Sequence, residues 1–410
     1  MKKLPVILKI AAIALISLQA CYGSGKGHQK KLGPAKKTNT EIITGADQIS
    51  LYIDYLKGKN IGMVVNQTSV IGKTLTPSVD SLLKRGVNIK KVFGPEHGFR
   101  GNASNGAVVS DAVDAKTGLP VISLYGNKHY KPTDDDLEGI DLMIFDIQDV
   151  GTRFYTYIST LHYVMEACAE HHIELMIFDR PNPNGYLVDG PILDTAYRSF
   201  VGMHPIPISH GMTIGEYARM INGEKWLKNG AKCKLKIVKV ANYRHNMVYK
   251  LPVWPSPNLN TDQSILLYPS VCLFEGTTFS LGRGTYFPFL VLGHPLLKGI
   301  YSYTFTPLSI PGMSENPPQK DKQCFGIDLK NYSIDQIRAI GHINLAWLIE
   351  LYKAFPDKNH FFNAYFTKLA GTKELQRQIT AGKSEQEIRA GWQPGLKKFN
   401  SIRSKYLLYE

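Results

Sequence analysis

Short apolar segments alternate with helical patterns along the chain from Ile61 onward, and this alternation restricts the fold more than any other feature of the sequence. Each apolar segment has the length of a strand, and the segments between them carry apolar residues at helical spacing. This order is typical of βαβ units around a mostly parallel sheet, so we predict an α/β fold. The predicted strands are residues 61–65, 89–93, 121–124, 142–147, 175–178 and 235–240.

Three helices are predicted in the same region. One lies between the fourth and fifth strands, where apolar residues recur at intervals of three and four over residues 157–168. The others span residues 78–85 and 213–222. Thr213, followed three residues later by Glu216, forms a capping box that marks the start of the last helix.

Polar functional groups follow five of the predicted strands. In open parallel sheets, ligands bind outside the carboxyl ends of the strands. We therefore expect these segments to converge on one crevice. They are residues 66–69, 94–101, 125–127, 148–153 and 179–185.

The composition changes after residue 240, and residues 254–260 are rich in Pro and Asn. We place a domain junction there and predict a second, smaller α/β domain that closes over the crevice. The predicted domains are residues 41–250 and 251–410. Strands are expected in the second domain near 302–306 and 326–329, and helices near 344–354 and 372–381.

The first 20 residues combine Lys2 and Lys3 with a short apolar run, which is typical of a secretory signal. The sequence Leu18-Gln19-Ala20-Cys21 resembles the lipobox of bacterial lipoproteins, so we predict a lipid on Cys21; ordinary cleavage near Ala20 is the alternative. Residues 21–40 contain few large apolar residues and are predicted to be a flexible tether. We thus expect an exported lipoprotein of the periplasm or cell envelope, attached to a membrane by its lipid.

The formal net charge of +14 favours acidic partners. An exported chain without a Lys/Arg-rich helix or an aromatic RNA-binding signature argues against nucleic acid, and an anionic glycan fits better. A generally basic surface without meaning for the substrate is the alternative. Four cysteines remain after Cys21, at wide spacings and without a CxxC pair, so we expect buried thiols: Cys168, Cys233, Cys272 and Cys324.

Several standard motifs are absent from the sequence. There is no P-loop, no GxSxG elbow and no HExxH. Gly282-Arg283-Gly284 begins like a dinucleotide fingerprint, but Phe287 stands where the third glycine belongs, so no nucleotide cofactor is expected. His97 and His210 lack partners at metal-ligand spacing, so no metal is predicted. No oligomeric state is predicted.

The polar segments match a known pattern almost from end to end of the chain after the tether. They resemble the NamZ-like exo-β-N-acetylmuramidases, glycoside hydrolase family 171, long catalogued as a domain of unknown function. The resemblance implies a Rossmann-like N-terminal domain, a smaller C-terminal domain and a cleft between them. It also implies metal-free removal of terminal N-acetylmuramic acid from the non-reducing end of peptidoglycan-derived glycans. The matching segments are 66–68, 94–101, 146–157, 179–183, 190–191, 205–207, 210–213, 255–259 and 274–277.

Glycosidic cleavage needs a proton donor and stabilisation of an oxocarbenium-like transition state, usually by two carboxyl groups. We predict Glu96 as the general acid, oriented or tuned by His97; a purely structural carboxylate is the alternative. Glu275 is our first choice for the second carboxylate and Asp149 the second choice. Asp146 and Asp179 fit structural hydrogen bonds better. A substrate-assisted route, in which the acetamido group attacks, stays open.

The lactyl carboxylate of muramic acid suits the planar fork of an arginine, and the candidates are Arg100, Arg153 and Arg283. A structural ion pair is the alternative for each. The other predicted substrate-binding residues supply amides for hydroxyl or acetamide groups, or an aromatic ring for stacking. They are Asn66, Gln67, Asn182, Asn258 and Tyr155, with Tyr157 and Trp254 as further aromatic candidates.

Two other functions would use the same crevice. One is a non-catalytic lipoprotein that binds muropeptides. The other is an amidase or esterase that acts on cell-wall fragments.

Overall fold

A seven-stranded sheet forms the centre of the protein in a computed structural model that describes residues 41–96, 98–100, 111–126 and 129–410. Smaller sheets and two-stranded ribbons surround it. The strands are β1 Ile61–Val65, β2 Val70–Ile71, β3 Thr76–Pro77, β4 Ile89–Gly94, β5 Ala112–Val113, β6 Pro120–Ser123, β7 Leu142–Asp146, β8 Glu174–Phe178, β9 Val188–Asp189, β10 Ser209–His210, β11 Leu235–Val238, β12 Val291–His294, β13 Tyr303–Phe305 and β14 Cys324–Asp328.

Helices cover the central sheet and form most of the second half of the chain. The capping box predicted at Thr213 and Glu216 is confirmed at the start of the fifth helix. The helices are α1 Ile53–Leu56, α2 Ser78–Leu83, α3 Asp134–Leu137, α4 Tyr157–Glu170, α5 Ile214–Gly223, α6 Asp262–Val271, α7 Ile334–Ile340, α8 Ala346–Ala354, α9 Phe366–Ala370, α10 Glu374–Thr380 and α11 Glu385–Arg403.

The strand order of the central sheet is β11-β8-β7-β1-β4-β6-β5, and all neighbours are parallel except the short edge pair β5 and β6. The six parallel strands, taken in chain order, have the doubly wound Rossmann arrangement. From β1 the sheet grows in one direction by β4 and then β6. The chain then crosses back, and β7 pairs with the other side of β1. This reversal opens a crevice at the carboxyl ends of β1 and β7. The predicted α/β class and all six predicted parallel strands are confirmed.

Both faces of the central sheet are buried, as a parallel sheet requires. Successive residues of β1 alternate between two apolar cores: Met63 and Val65 lie in one, and Val64 in the other. The core that contains Val64 continues into the second half of the chain through residues such as Phe274 and Phe279. The apolar interior is therefore shared between the two halves.

The second half contains a three-stranded antiparallel sheet in the order β12-β14-β13, packed with helices α6 to α11. The strands predicted near 302–306 and 326–329 are confirmed as β13 and β14, and the helices predicted near 344–354 and 372–381 as α8 and α10. Glu41–Glu410 form one compact unit by their contacts, so the separate domains 41–250 and 251–410 stay a prediction. Within the described ranges, no helix has the length and apolar character needed to cross a bilayer.

Residues 404–410, here called the return segment, pack against the first half of the chain. Arg219 donates to the backbone carbonyls of Tyr406 and Leu407. The Leu408 amide donates to Glu216 Oε1 at 2.8 Å, and the Tyr409 hydroxyl donates to Asp179 Oδ2 at 2.6 Å. The return segment therefore satisfies polar groups at the buried start of α5.

The four cysteines after the tether are buried free thiols. Burial raises the pKa of Cys324 to about 12, so this thiol stays protonated at neutral pH. The prediction of buried thiols is confirmed.

Candidate active site

A cavity of about 150 Å³ lies at the carboxyl edge of the central sheet. Loops after β4, β6 and β7 supply part of its wall, and segments before β10, around α6, before β12 and before α9 supply the rest. The lining residues are Glu96, Tyr125, Phe154, Tyr155, Thr156, Phe200, Val201, Ser256, Leu259, Tyr268, Glu275, Arg283, Phe289 and Tyr365.

Glu96 stands two residues after β4 and faces the cavity. The Thr156 hydroxyl, just before α4, donates to its Oε2 at 2.9 Å. The pKa of Tyr125 is raised, first by burial and then by the charge of Glu96 and a hydrogen bond to it. Gly98 has a φ of 74°, a backbone conformation that a side chain would strain. The loop thus holds the Glu96 carboxyl between two hydroxyl groups.

Glu275 reaches the same cavity from the 3₁₀ helix Cys272–Gly276, which follows α6 directly. Arg283 donates to its Oε1 from Nε at 2.9 Å and from Nη2 at 2.6 Å. Burial lowers the pKa of Arg283, but the charge of Glu275, the hydrogen bonds to it and the neighbouring Tyr268 and Cys272 together offset this effect, and the net pKa is raised. Arg283 is therefore a half-buried cation beside its carboxylate. Its Nη1 has no hydrogen-bond acceptor among the described residues.

Aromatic rings fill much of the wall between the two carboxyl groups. The Tyr155 hydroxyl donates to the Pro255 carbonyl at 2.9 Å, and Tyr157 donates to the same carbonyl at 3.1 Å. Both tyrosines therefore fix the 254–257 segment while the ring of Tyr155 lines the cavity. Burial raises the pKa of Tyr365, and the negative charges of Glu275 and Glu96 add to this increase.

The structure thus brings together four of the predicted site residues: Glu96, Glu275, Arg283 and Tyr155. Their predicted roles in catalysis and binding stay predictions. His97 and Cys21 lie outside the described residues.

The four predicted amide ligands do not line the cavity. Each amide instead hydrogen-bonds to the protein and shapes a loop around the site. Asn66 Oδ1 accepts from the amide and hydroxyl of Thr68. The other three donate to backbone carbonyls: Gln67 to Pro255, Asn182 to Met212 and Asn258 to Met313.

Two of the three arginine candidates also lie away from the cavity. Arg153 is fully buried and donates to four backbone carbonyls, those of Pro191, Ile206, Leu369 and Ala370. Arg100 pairs with Asp114 at 2.8 Å and with Asp80 at 3.3 Å. The alternative of a structural ion pair describes the contacts of Arg100, whereas the partners of Arg153 are backbone carbonyls and not an acid.

Asp149 is buried and is absent from the cavity wall. Its Oδ2 accepts from the Gly151 amide at 2.6 Å and lies 4.0 Å from His210 Nε2. Burial raises the pKa of Asp149 to about 7, and burial lowers the pKa of His210 to about 3. Of the two candidates for the second carboxylate, Glu275 lines the cavity with Glu96 and Asp149 does not.

Asp146 and Asp179 make the structural bonds expected of them. Asp146 accepts from Arg180 at 2.7 Å. Asp179 accepts from the Gly215 amide at 2.8 Å and from the hydroxyl of Thr213. Among the described side chains, no three His, Cys, Asp or Glu residues come together as a metal site.

The residue-level predictions omitted several groups that line the cavity. Tyr125 lies in the polar strand-end segment 125–127 and Thr156 in the segment 146–157 of the family resemblance, so attention to hydroxyl groups in these segments would have found them. Phe200, Tyr268 and Tyr365 come from regions where the sequence carries no such signal. The fold alone brings them to the cavity.

A doubly wound sheet with two carboxyl groups and a half-buried arginine at its carboxyl edge defines an α/β enzyme suited to acid–base chemistry. Models of the N-terminal and C-terminal regions of exo-β-N-acetylmuramidase NamZ match residues 61–263 and 266–409. The chain belongs to the NamZ family and is a glycoside hydrolase. The predicted family resemblance is confirmed.

The chain is 40% identical over 388 residues to the peptidoglycan β-N-acetylmuramidase NamZ of Bacillus subtilis (strain 168). The matched region covers 90% of this chain and 92% of that relative. Two crystal structures of DUF1343 family proteins from Bacteroides fragilis are also similar. The first has a TM-score of 0.83 and 46% identity, and the second a TM-score of 0.75 and 29% identity. Each covers 90% of this chain and 99% of its own.

Proposed function

We propose that this enzyme hydrolyses the terminal, β-linked N-acetylmuramic acid at the non-reducing end of peptidoglycan-derived glycans. The proposal rests on one observation: Glu96, Glu275 and Arg283 line the same cavity. The family membership and the relative from Bacillus subtilis support the choice of substrate.

In this proposal Glu96 is the general acid. As the bond between the anomeric carbon and the glycosidic oxygen breaks, Glu96 transfers its proton to that oxygen. Thr156 and Tyr125 orient the carboxyl group for this transfer. Water supplies the hydroxyl group that the sugar gains, and its proton restores a carboxyl group of the site.

Glu275 faces the positive charge that develops on the sugar ring in the transition state. Its position is fixed by the two hydrogen bonds from Arg283. The same arginine is the one lactyl candidate that lines the cavity, and its Nη1 lacks an acceptor within the described part of the chain. We assign this nitrogen to the lactyl carboxylate, because a charge-assisted bond there distinguishes muramic acid from glucosamine.

The test compares a chromogenic β-muramide with the corresponding β-N-acetylglucosaminide. The wild-type protein should release the muramic acid and prefer it, and Arg283→Met should reduce that preference. Glu96→Gln should lower kcat on the muramide by about 10²–10⁴, because the amide cannot donate a proton as a general acid does. Glu138→Gln, an exposed glutamate in the same half, is the matched control.

Near-wild-type turnover by Glu96→Gln, with its melting temperature unchanged, would remove Glu96 from the acid role. Binding of muropeptides without any sugar release would support the non-catalytic lipoprotein instead. Loss of peptide or acyl groups in the mass spectrum of the products would indicate an amidase or esterase. The configuration of the released sugar, followed by NMR, separates inverting from retaining and substrate-assisted routes.

A further inference from the structure

A cluster of aromatic rings continues from the cavity onto the protein surface. Tyr130, Tyr163 and Phe200, here called the aromatic platform, are all half-exposed. Tyr130 and Phe200 stack with ring centroids 4.1 Å apart, and Tyr163 lies 6.1 Å and 6.3 Å from them. The interplanar angles are 18–21°, so the three rings are almost parallel.

The aromatic platform does not belong to the interior of the fold. None of its three rings is part of the two apolar cores or packs against them as a partly buried neighbour. The rings contact each other instead: the facing sides of Tyr130 and Phe200 cover each other, and the outer surface of the cluster is partly exposed to solvent. Half-exposed aromatic side chains in a parallel arrangement offer flat apolar area together with polar hydroxyl groups. This combination suits a ligand that has a flat apolar face and a polar rim.

The platform is continuous with the Glu96 side of the cavity. Phe200 lines the cavity itself and lies 6.0 Å from Tyr125, the tyrosine that hydrogen-bonds to Glu96. A general acid must contact the oxygen of the leaving group, so the leaving sugar lies on its side of the bond. Arg283 and Glu275 then lie on the side of the bond that holds the terminal muramic acid.

We propose that the aromatic platform binds the β-linked N-acetylglucosamine of the leaving glycan and the sugar that follows it. A β-linked pyranose carries its hydroxyl groups at the rim and exposes C–H bonds on both faces, which match the parallel rings. The platform therefore makes a glycan chain a better substrate than a muramic acid with a small leaving group. This inference rests on the proposed function.

The experiment compares two substrates, of which only one can contact the platform. One is N-acetyl-β-muramyl fluoride, whose leaving atom reaches no ring, and the other is a tetrasaccharide with muramic acid at its non-reducing end. Tyr130→Leu and Tyr163→Leu should each lower kcat/KM on the tetrasaccharide by about tenfold, in line with the loss of one stacked ring. On the fluoride both variants should stay within about twofold of wild type. Tyr130→Phe and Tyr163→Phe keep the ring and should retain most of the activity on both.

Tyr55→Leu is the matched control. Tyr55 is also half-exposed, but its hydroxyl donates to Glu174 at the amino end of β8, at the opposite edge of the sheet. It should leave both substrates unaffected. Equal kcat/KM losses on the fluoride and the tetrasaccharide, or no loss on either, would overturn the platform proposal.

A second measurement separates failure of the platform from failure of the proposed function. Titration of the Glu96→Gln protein with an N-acetylglucosamine trisaccharide needs no turnover. Weaker binding after Tyr130→Leu supports the platform even if wild type hydrolyses neither substrate, whereas unchanged binding contradicts it. Absence of hydrolysis of both substrates by wild type contradicts the proposed function alone.

Discussion

Asp149 and Glu96 both follow strands of the central sheet, but their surroundings differ. Glu96 lines the cavity between two hydroxyl groups, whereas Asp149 is buried with its Oδ2 on the Gly151 amide. The sequence predicted that polar groups gather at this edge. It could not predict which of them turn inward, because a strand-end loop can direct a side chain either into the crevice or into its own backbone.

The raised pKa of Asp149 should make the stability of the protein depend on pH. This carboxyl has a pKa of about 7 in the folded chain, against about 3.9 in an unfolded chain. The folded state therefore holds the proton more tightly, and the free energy of unfolding falls as the pH rises from about 4 to about 7. Asp149→Asn does not titrate, so its stability relative to wild type should rise by up to about 3 kcal/mol between pH 5 and pH 8.

Urea unfolding of both proteins at the two pH values measures this difference. His210 and Asp179 titrate in both proteins, so comparing the two proteins at each pH isolates the effect of Asp149 to first order. Asp54→Asn, an exposed carboxyl paired with Lys57, is the control and should show no such pH dependence. An Asp149→Asn effect of equal size at both pH values would show that this carboxyl keeps an ordinary pKa.

At the scale of the element, the strands were easier to predict than the helices. The central strands β1 and β7 are continuous buried runs, and all six predicted parallel strands are confirmed. Helix α11 was not predicted because Gly391, Pro394 and Gly395 lie within it and normally interrupt a helix. Tertiary packing overrides this local preference, since Ile388, Trp392, Leu396 and Phe399 are buried along one face. Helix α6 was not predicted either, because Pro269 lies within it.

Arg153 connects elements that are distant in sequence, and its removal should cost stability. It joins the loop before α4 to the carbonyls of Pro191 and Ile206 and to those of Leu369 and Ala370 at the end of α9. Burial lowers the pKa of Arg153 to about 9, so it is still charged at pH 7. Arg153→Met leaves four carbonyls without their donor and should lower the free energy of unfolding by about 3–5 kcal/mol.

Thermal unfolding measures this loss, and kcat below the transition should stay within about twofold of wild type. Arg377→Met is the control, because Arg377 is exposed on α10 and pairs with Glu374. Its stability should stay close to that of wild type. If folded Arg153→Met selectively lost activity on muramic acid substrates, Arg153 would be a substrate-binding residue after all.

At the scale of the whole molecule, the family models divide the chain between residues 263 and 266, but the packing does not. One apolar core includes Val64 of the sheet and Phe279 of the second half. The cavity is lined by Glu96 of the first half and Glu275 of the second half. Sequence patterns show where composition changes. They do not show whether the two parts share an interior, because long-range packing leaves no local signal.

We therefore expect residues 41–263 not to fold alone. Without the second half, the shared core is exposed to water, and each large side chain left uncovered costs about 1.5–3 kcal/mol. Residues 41–410 should unfold in one cooperative transition, whereas the fragment should aggregate or melt without cooperativity. A cooperative transition of the fragment within a few degrees of that of residues 41–410 would contradict a shared core.

The return segment has a consequence for the order in which the protein is made. Tyr409 bonds to Asp179, beside the start of α5, although about 170 residues separate it from β11, the last strand of the sheet. At ribosomal rates of roughly 5–20 residues per second, those residues take on the order of ten to thirty seconds to synthesise. During that interval the carboxyl groups of Asp179 and Glu216 lack the hydrogen bonds that the return segment supplies, so the buried start of α5 is completed last.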